Sequence, residues 1–231
     1  MNIQGYQKLT LLDYPGKTAC TVFTGGCNFR CPFCHNASLV NRPTGYNTSN
    51  EEVLAYLEKR KGLLDGVCIT GGEPLLQGDI KEFILKVKAM GYSVKLDTNG
   101  SLPERLEELL SAGVLDLVAM DVKNSPSLYS LTAGREVEIK SIERSLSLLK
   151  ESGVEYELRT TVVEGLHTAQ SLTELAQWIG SVPKYFLQGY VDSGEILGDA
   201  AALGAFSPAK MRELLKEVQK YIPSAALRGV E

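Results

Sequence analysis

Short apolar runs alternate with amphipathic stretches along most of this chain. Thr18-Ala-Cys-Thr-Val-Phe-Thr24 is β-branched and aromatic and predicts a first strand. Apolar runs of the same kind predict strands over residues 66–70, 92–97, 115–121, 155–163 and 184–188. Between them the spacing turns helical. Thr48-Ser49-Asn50-Glu51-Glu52 supplies caps and early acids for a helix reaching about Arg60, a second spans residues 79–90 before Gly91, and a third opens at Pro103 and closes at Gly113. An excursion over residues 123–138 precedes a helix ending at Gly153, and two more helices are predicted over 171–180 and 207–221. Residues 1–17 read as an irregular arm ending in the turn Asp13-Tyr-Pro-Gly16, and Asn41-Arg-Pro-Thr-Gly45 as a polar connection.

Six strands alternating with six helices call for parallel βαβ units, whose right-handed crossovers curl toward a barrel or a wound sheet; periodicity does not choose between them. Polar and glycine residues gather just after strands, at residues 25–34, 71–74, 97–100 and 121–123. In α/β barrels that end carries the chemistry. A chain of 231 residues suits one domain. Its expected parts are the arm at 1–17, the core at 18–206 and a C-terminal helix at 207–231.

Composition narrows the partners. The net charge of −4 offers no basic field for a phosphate backbone, so nucleic acid is not expected. No apolar run approaches 18 residues and the first residues lack a basic-then-apolar leader, so the expectation is no membrane span and a cytoplasmic location. Five cysteines, three of them bunched, argue against a disulfide framework.

Those three stand in Thr24-Gly-Gly-Cys27-Asn-Phe-Arg-Cys31-Pro-Phe-Cys34-His-Asn36, at a C-x3-C-x2-C spacing. Thiolates at this spacing bind zinc or an iron–sulfur cluster. Structural zinc closes its tetrahedron with four protein ligands, whereas a cubane held by three leaves one iron open. His35 would complete a Cys3His zinc set, but it directly follows Cys34, and adjacent residues rarely reach one tetrahedral ion without strain. The spacing favours the cluster. Cys20 and Cys68 lie singly within predicted strands and read as small core residues.

The C-x3-C-x2-C loop with an aromatic residue, Phe33, before its third cysteine resembles the signature of the radical S-adenosylmethionine (SAM) superfamily. The wider strings Leu12-Asp-Tyr-Pro-Gly-Lys17, Phe23-Thr-Gly-Gly-Cys27 and Cys34-His-Asn36 are similar to the activating proteins of anaerobic ribonucleoside-triphosphate reductase, which belong with the glycyl-radical-enzyme activases. The likeness extends through Leu131-Thr-Ala-Gly134 and Leu158-Arg-Thr-Thr-Val162. It implies an open (βα)6 partial TIM barrel. It also implies a [4Fe–4S] cluster on Cys27, Cys31 and Cys34, with SAM chelating the fourth iron. Some activases insert a ferredoxin-like block with extra cysteines; this chain has none, and a single cluster is expected.

Other residues take implied roles from the same resemblance. Gly71-Gly72-Glu73-Pro74, otherwise a turn, resembles the motif that lies against the amino group of SAM. Asp97-Thr-Asn99-Gly100, also a turn sequence, matches a segment whose Asp97 and Asn99 would bond the ribose hydroxyls. Asp121 and Lys123 share a strand face by the period of two and match an Asp-x-Lys element near SAM and the incoming peptide. Read alone they are a strand-end ion pair. Arg159 matches a strand arginine facing the SAM carboxylate, and Gln188 can face the barrel or solvent. Asp13 and Tyr14 match an Asp-x-Pro-Gly element proposed to meet substrate or a cation. His167, alone in a loop, reads as a surface histidine.

The activity implied is reductive cleavage of SAM on the cluster, with the 5′-deoxyadenosyl radical used to generate a glycyl radical on anaerobic ribonucleotide reductase. A low-potential donor such as flavodoxin or ferredoxin would supply the electron. Two alternatives stand beside it. One is a radical SAM enzyme that acts on another glycyl-radical enzyme or on a small molecule; the other is a non-catalytic zinc-binding module.

Overall fold

A computed structural model describes residues 1–40, 48–191, 194 and 196–230. Its strands form one eight-stranded sheet in sequential order. β1 (Ile3–Thr10) runs antiparallel to β2 (Ala19–Thr24). Parallel pairing then continues through β3 (Gly66–Gly71), β4 (Ser93–Thr98), β5 (Leu117–Asp121), β6 (Glu155–Val162), β7 (Tyr185–Gly189) and β8 (Ala225–Arg228). The sheet starts at β1 and ends at β8 without joining them, so the barrel is open.

Helices return the chain between parallel strands: α1 (Ala37–Val40), α2 (Asn50–Glu58), α3 (Ile80–Ala89), α4 (Pro103–Ser111), α5 (Tyr129–Ala133), α6 (Ile139–Glu151), α7 (Ala169–Ile179) and α8 (Pro208–Gln219). Ser49 caps α2 by accepting a hydrogen bond from the Glu52 amide at 3.1 Å, as the Thr-Ser-Asn-Glu-Glu run predicts. Among the described residues no helix is long and apolar enough to cross a membrane.

Two expectations fail at the edges. Residues 3–10, read as irregular, form β1; an edge strand with polar Gln4, Gln7 and Lys8 shows no apolar run to detect. The expected C-terminal helix ends at Gln219, and residues 225–228 add β8, too short for a period to show. Arg228 ties β8 to β6 by donating from Nη1 and Nη2 to the two carboxylate oxygens of Glu157, at 2.7 and 2.9 Å. The excursion at 123–138 contains α5. The predicted connection Asn41-Arg-Pro-Thr-Gly45 lies outside the described residues.

Strand parity divides the sheet's two faces. Val67 and Ile69, Val94 and Leu96, Val118 and Met120, and Leu158 and Val162 are buried in the apolar core beneath the helices, with Phe83, Leu106, Ile142 and Leu172 among their helical partners in the same cluster. Cys20 belongs to that cluster, as expected. The opposite parity faces the barrel interior: Phe23, Thr70, Asp97, Asp121, Arg159, Thr161 and Gln188 all line its cavity. Cys68 takes this interior parity, with its Sγ 3.8 Å from Lys95 Nζ.

Candidate active site

The cavity at the strand C-termini measures about 610 Å³, within the several-hundred-Å³ range of small-molecule sites. Cys27, Cys31 and Cys34 all line it, together with Phe33, Gly71, Gly72, Asp97, Asn99, Asp121, Lys123 and Arg159. Residues separated by more than a hundred positions are thus brought to one wall.

The cysteine loop leaves β2 through Gly25 and Gly26 and is held by its backbone. The Glu73 amide donates to the Gly26 carbonyl at 2.8 Å, and Gln77 Nε2 donates to that of Gly25 at 3.0 Å. A Cβ on Gly72 would lie 2.1 Å from the Gly26 oxygen, so only glycine lets the two segments meet. Farther along, the Gly198 amide donates to the Pro32 carbonyl at 2.8 Å, and the Cys34 amide donates to Cys31 O at 3.0 Å. Burial raises the pKa of all three thiols, Cys31 to about 11, while Lys123 pulls the other way. Sulfurs so desolvated gain from a positive metal group. Among the described residues no three side chains of His, Cys, Asp and Glu group closely enough for a single metal ion. Three thiols set around a broad cavity suit a multi-iron group.

Glu73 and Pro74 are not on the cavity wall. The Glu73 carboxyl is buried behind it, where Oε1 accepts from Leu75 N at 3.1 Å and Thr98 Oγ1 at 2.9 Å, and Oε2 accepts from Asn99 N at 2.7 Å. Burial pushes its pKa up to about 7, against the pull of those donors. In this structure Glu73 ties the Gly71–Pro74 turn to the end of β4. Pro74 is buried and starts a 3-10 turn. Asn99 is likewise engaged: Nδ2 donates to Asn28 Oδ1 at 2.9 Å, and Oδ1 accepts from Ser101 N and Oγ.

A partly buried ladder of alternating charge crosses the barrel. Lys95 is ion-paired to Asp97; Asp97 also meets Arg159 Nη1 at 3.3 Å; Arg159 Nε donates to Asp121 Oδ1 at 2.8 Å; and Lys123 Nζ donates to Asp121 Oδ2 at 3.1 Å. Burial opposes the Asp121 charge, but Arg159 and Lys123 outweigh it and hold the carboxyl well below the usual range. Burial likewise opposes the Lys123 ammonium, and Asp121 and the cysteine region more than compensate. Lys95 carries no motif. Its spacing of two from Asp97 is the signal that places both on the interior face.

The remaining sequence readings divide. Gln188 lines the cavity, as does Asp13, whose Oδ2 accepts from Thr21 Oγ1 at 2.5 Å. Tyr14 is buried against Ala19 and Leu117, away from the cavity wall. His35 is exposed on the cavity's rim. His167, expected at the surface, is buried. Its Nδ1 accepts from Val163 N at 3.1 Å, so Nε2 carries the proton donated to the Lys123 carbonyl at 2.8 Å. Loop context conceals such a histidine, because its partners are main-chain atoms.

Comparison with known proteins agrees with this arrangement. Residues 21–179 match the radical SAM superfamily. The chain is 31% identical to MJ1227 of Methanocaldococcus jannaschii, named provisionally as a glycyl-radical enzyme activating enzyme, over 99% of this chain and 96% of that one. It is 30% identical to the pyruvate formate-lyase-activating enzyme of Clostridium pasteurianum, over 78% and 76%. Among solved structures, SuiB of Streptococcus suis bound to SAM superposes with a TM-score of 0.68 at 17% identity, covering 88% of this chain; this chain spans 48% of SuiB. A domain of the pyruvate-formate lyase-activating enzyme from Bacteroides vulgatus gives 0.57 at 18%, covering 71% and 99%. At such identities the structures speak for the fold alone. Sequence match, open barrel and cysteine-lined cavity together make the chain a member of the radical SAM superfamily, whose cofactors are a [4Fe–4S] cluster and SAM, and a homologue of glycyl-radical-enzyme activating enzymes.

Proposed function

We propose that this chain activates a glycyl-radical enzyme, and that its partner is anaerobic ribonucleoside-triphosphate reductase. The observation that carries the activase reading is the placement of Cys27, Cys31 and Cys34 on the wall of a cavity that Asp97, Asp121, Lys123 and Arg159 also line. Cys27, Cys31 and Cys34 would hold three irons of the cluster. When bound, cluster and SAM supply a one-electron reductive cleavage that gives methionine and a 5′-deoxyadenosyl radical able to take a glycine Cα hydrogen.

The chain's own residues bind and orient. Gly71 and Gly72 line the cavity and, lacking a Cβ, let this turn pack directly on the backbone of Thr24 and Gly26, in the position read for the SAM amino group. Arg159 and Lys123 put positive charge where a ligand carboxylate is to be held, and Asp97 keeps an acceptor on the wall for ribose hydroxyls. Phe33, buried beside Cys34, supplies an apolar surface for the adenosyl group. Phe23, Phe29 and Phe33 give the wall an aromatic side next to the cysteines. A flavodoxin or ferredoxin would bring the electron, and the cytoplasm is the compartment that keeps all five free cysteines reduced.

The choice of reductase rests on the strings Leu12-Asp-Tyr-Pro-Gly-Lys17 and Cys34-His-Asn36. The likeness to pyruvate formate-lyase-activating enzymes favours a second reading, a formate-lyase type of partner. The test is anaerobic reconstitution, reduction with SAM, and incubation in turn with a ribonucleotide reductase and a formate lyase. A glycyl-radical signal by electron paramagnetic resonance on the reductase supports the first reading. A signal on the lyase alone supports the second. No 5′-deoxyadenosine with either partner, despite about four irons per chain, would overturn the activity itself.

A further inference from the structure

The segment between the first two cysteines is gripped from outside by a corner of the chain about a hundred residues away. The Arg30 amide donates to the Ala133 carbonyl at 2.8 Å, at the end of α5. Arg135 Nη1 donates to the Asn28 carbonyl at 2.8 Å, a contact spanning 107 positions. Between those two contacts stands Gly134, left-handed at φ +69°, where an added Cβ would lie 1.9 Å from the Arg30 carbonyl oxygen and 2.6 Å from its carbon. Both atoms are backbone, so a flexible side chain cannot yield there. Arg30 Nη1 meanwhile donates to the Cys27 and Phe29 carbonyls at 2.6 and 2.8 Å. The carbonyls of residues 27, 28 and 29 are therefore capped by two guanidinium groups.

We infer that Gly134, supported by Arg135, is a positioning residue for the cysteine loop: the corner at 133–135 fixes the backbone between Cys27 and Cys31, and hence the spread of the ligands. The inference rests on the reading of the three cysteines as a cluster site. Its physical basis is close approach, since a ligand spread set by backbone contact changes when a methyl group wedges the two segments apart. The guanidinium on Asn28 O adds positive charge beside the loop, which favours the more reduced state of a bound cluster.

The test compares Gly134→Ala with Gly113→Ala. Gly113 is also left-handed, at φ +64°, but a Cβ there meets nothing within 4 Å, so it carries the same backbone strain without the clash. In the metal-free protein, Gly134→Ala is expected to speed hydrogen exchange of the Arg30 amide at least tenfold, and Gly113→Ala to leave it unchanged. After reconstitution, Gly134→Ala should lose iron to a chelator several-fold faster than wild type or Gly113→Ala. Arg135→Gln, which keeps the glycine, should shift the cluster's reduction potential to a more negative value with the fold intact; it also serves if Gly134→Ala does not fold. Exchange and iron loss equal in the two alanine variants, or an unshifted potential in Arg135→Gln, would overturn the inference. Failure of the wild type to take up iron would instead overturn the cluster reading, and the exchange measurement tells the two failures apart.

Discussion

Asp121 and Arg159 are register partners on neighbouring strands β5 and β6, and Arg159 Nε donates to Asp121 Oδ1 at 2.8 Å. The same guanidinium reaches Asp97 on β4, so one side chain joins three strands on the interior face of the barrel.

Replacing Arg159 with Met should therefore do more than remove a cavity-lining charge. It leaves Asp121 with Lys123 alone and Asp97 with Lys95 alone. Breaking a fully buried pair costs about 3–5 kcal/mol, and the partial exposure of Asp121 puts this case below that range. Urea titration should show a loss of about 2–3 kcal/mol. SAM affinity measured by calorimetry on reconstituted protein should fall at least tenfold. Affinity that survives the loss of stability would remove Arg159 from the binding site.

Gly72→Ala should cost iron. The added Cβ would stand 2.1 Å from Gly26 O and 3.3 Å from the Cys27 amide nitrogen, so the loop must move away from β3. Iron per chain after reconstitution is expected to drop below half the wild-type value, read by colorimetric iron assay alongside circular dichroism. Full iron loading in a folded variant would contradict the close approach.

The cysteines should separate into two classes. Cys31→Ala is expected to abolish iron binding and 5′-deoxyadenosine formation. Cys20→Ala and Cys68→Ala, changed at buried strand positions, should keep their iron and lose about 1 kcal/mol of stability each. Iron lost from either strand variant while folded would mean the ligand set is drawn wrongly.

His167 should make stability sensitive to acid. Burial lowers its pKa below the ordinary value, opposed by its bond to the Lys123 carbonyl. Near pH 7 the imidazole is neutral in both folded and unfolded chains. As pH falls below about 6.5 the unfolded chain takes up the proton first, so stability is lost until the folded pKa is reached, at no more than about 1.4 kcal/mol per pH unit. Glu73, pushed up to about 7 by burial, works in the opposite sense over part of this range. The comparison is therefore between wild type and His167→Gln: the difference in their stabilities should shrink as pH drops from 7 to 5. A constant difference would show that the histidine does not change its protonation there.

The linear order of residues determined more of this protein than the separate elements suggest. Apolar runs at strand spacing located β2 to β7, because each of these strands buries one parity beneath the helices, and the cap Ser49 and the first-turn Pro103 located helix starts. The cysteine loop was legible because its three thiols are close in sequence, and their chemistry depends on that closeness. What depends on contact between distant segments was not legible. β1 and β8 are edge strands with little apolar pattern of their own. Whether Glu73 lines the cavity or turns behind it was decided by donors on β4, and whether His167 is surface or core by main-chain atoms of Lys123 and Val163. The pairing of Lys95 with Asp97 and Arg159, and the seating of Gly134 on Arg30, arise only when the sheet curls and closes those distances. Local propensity acts through neighbours along the chain, whereas charge pairing and close packing act through space, and only the folded barrel supplies that second set of neighbours.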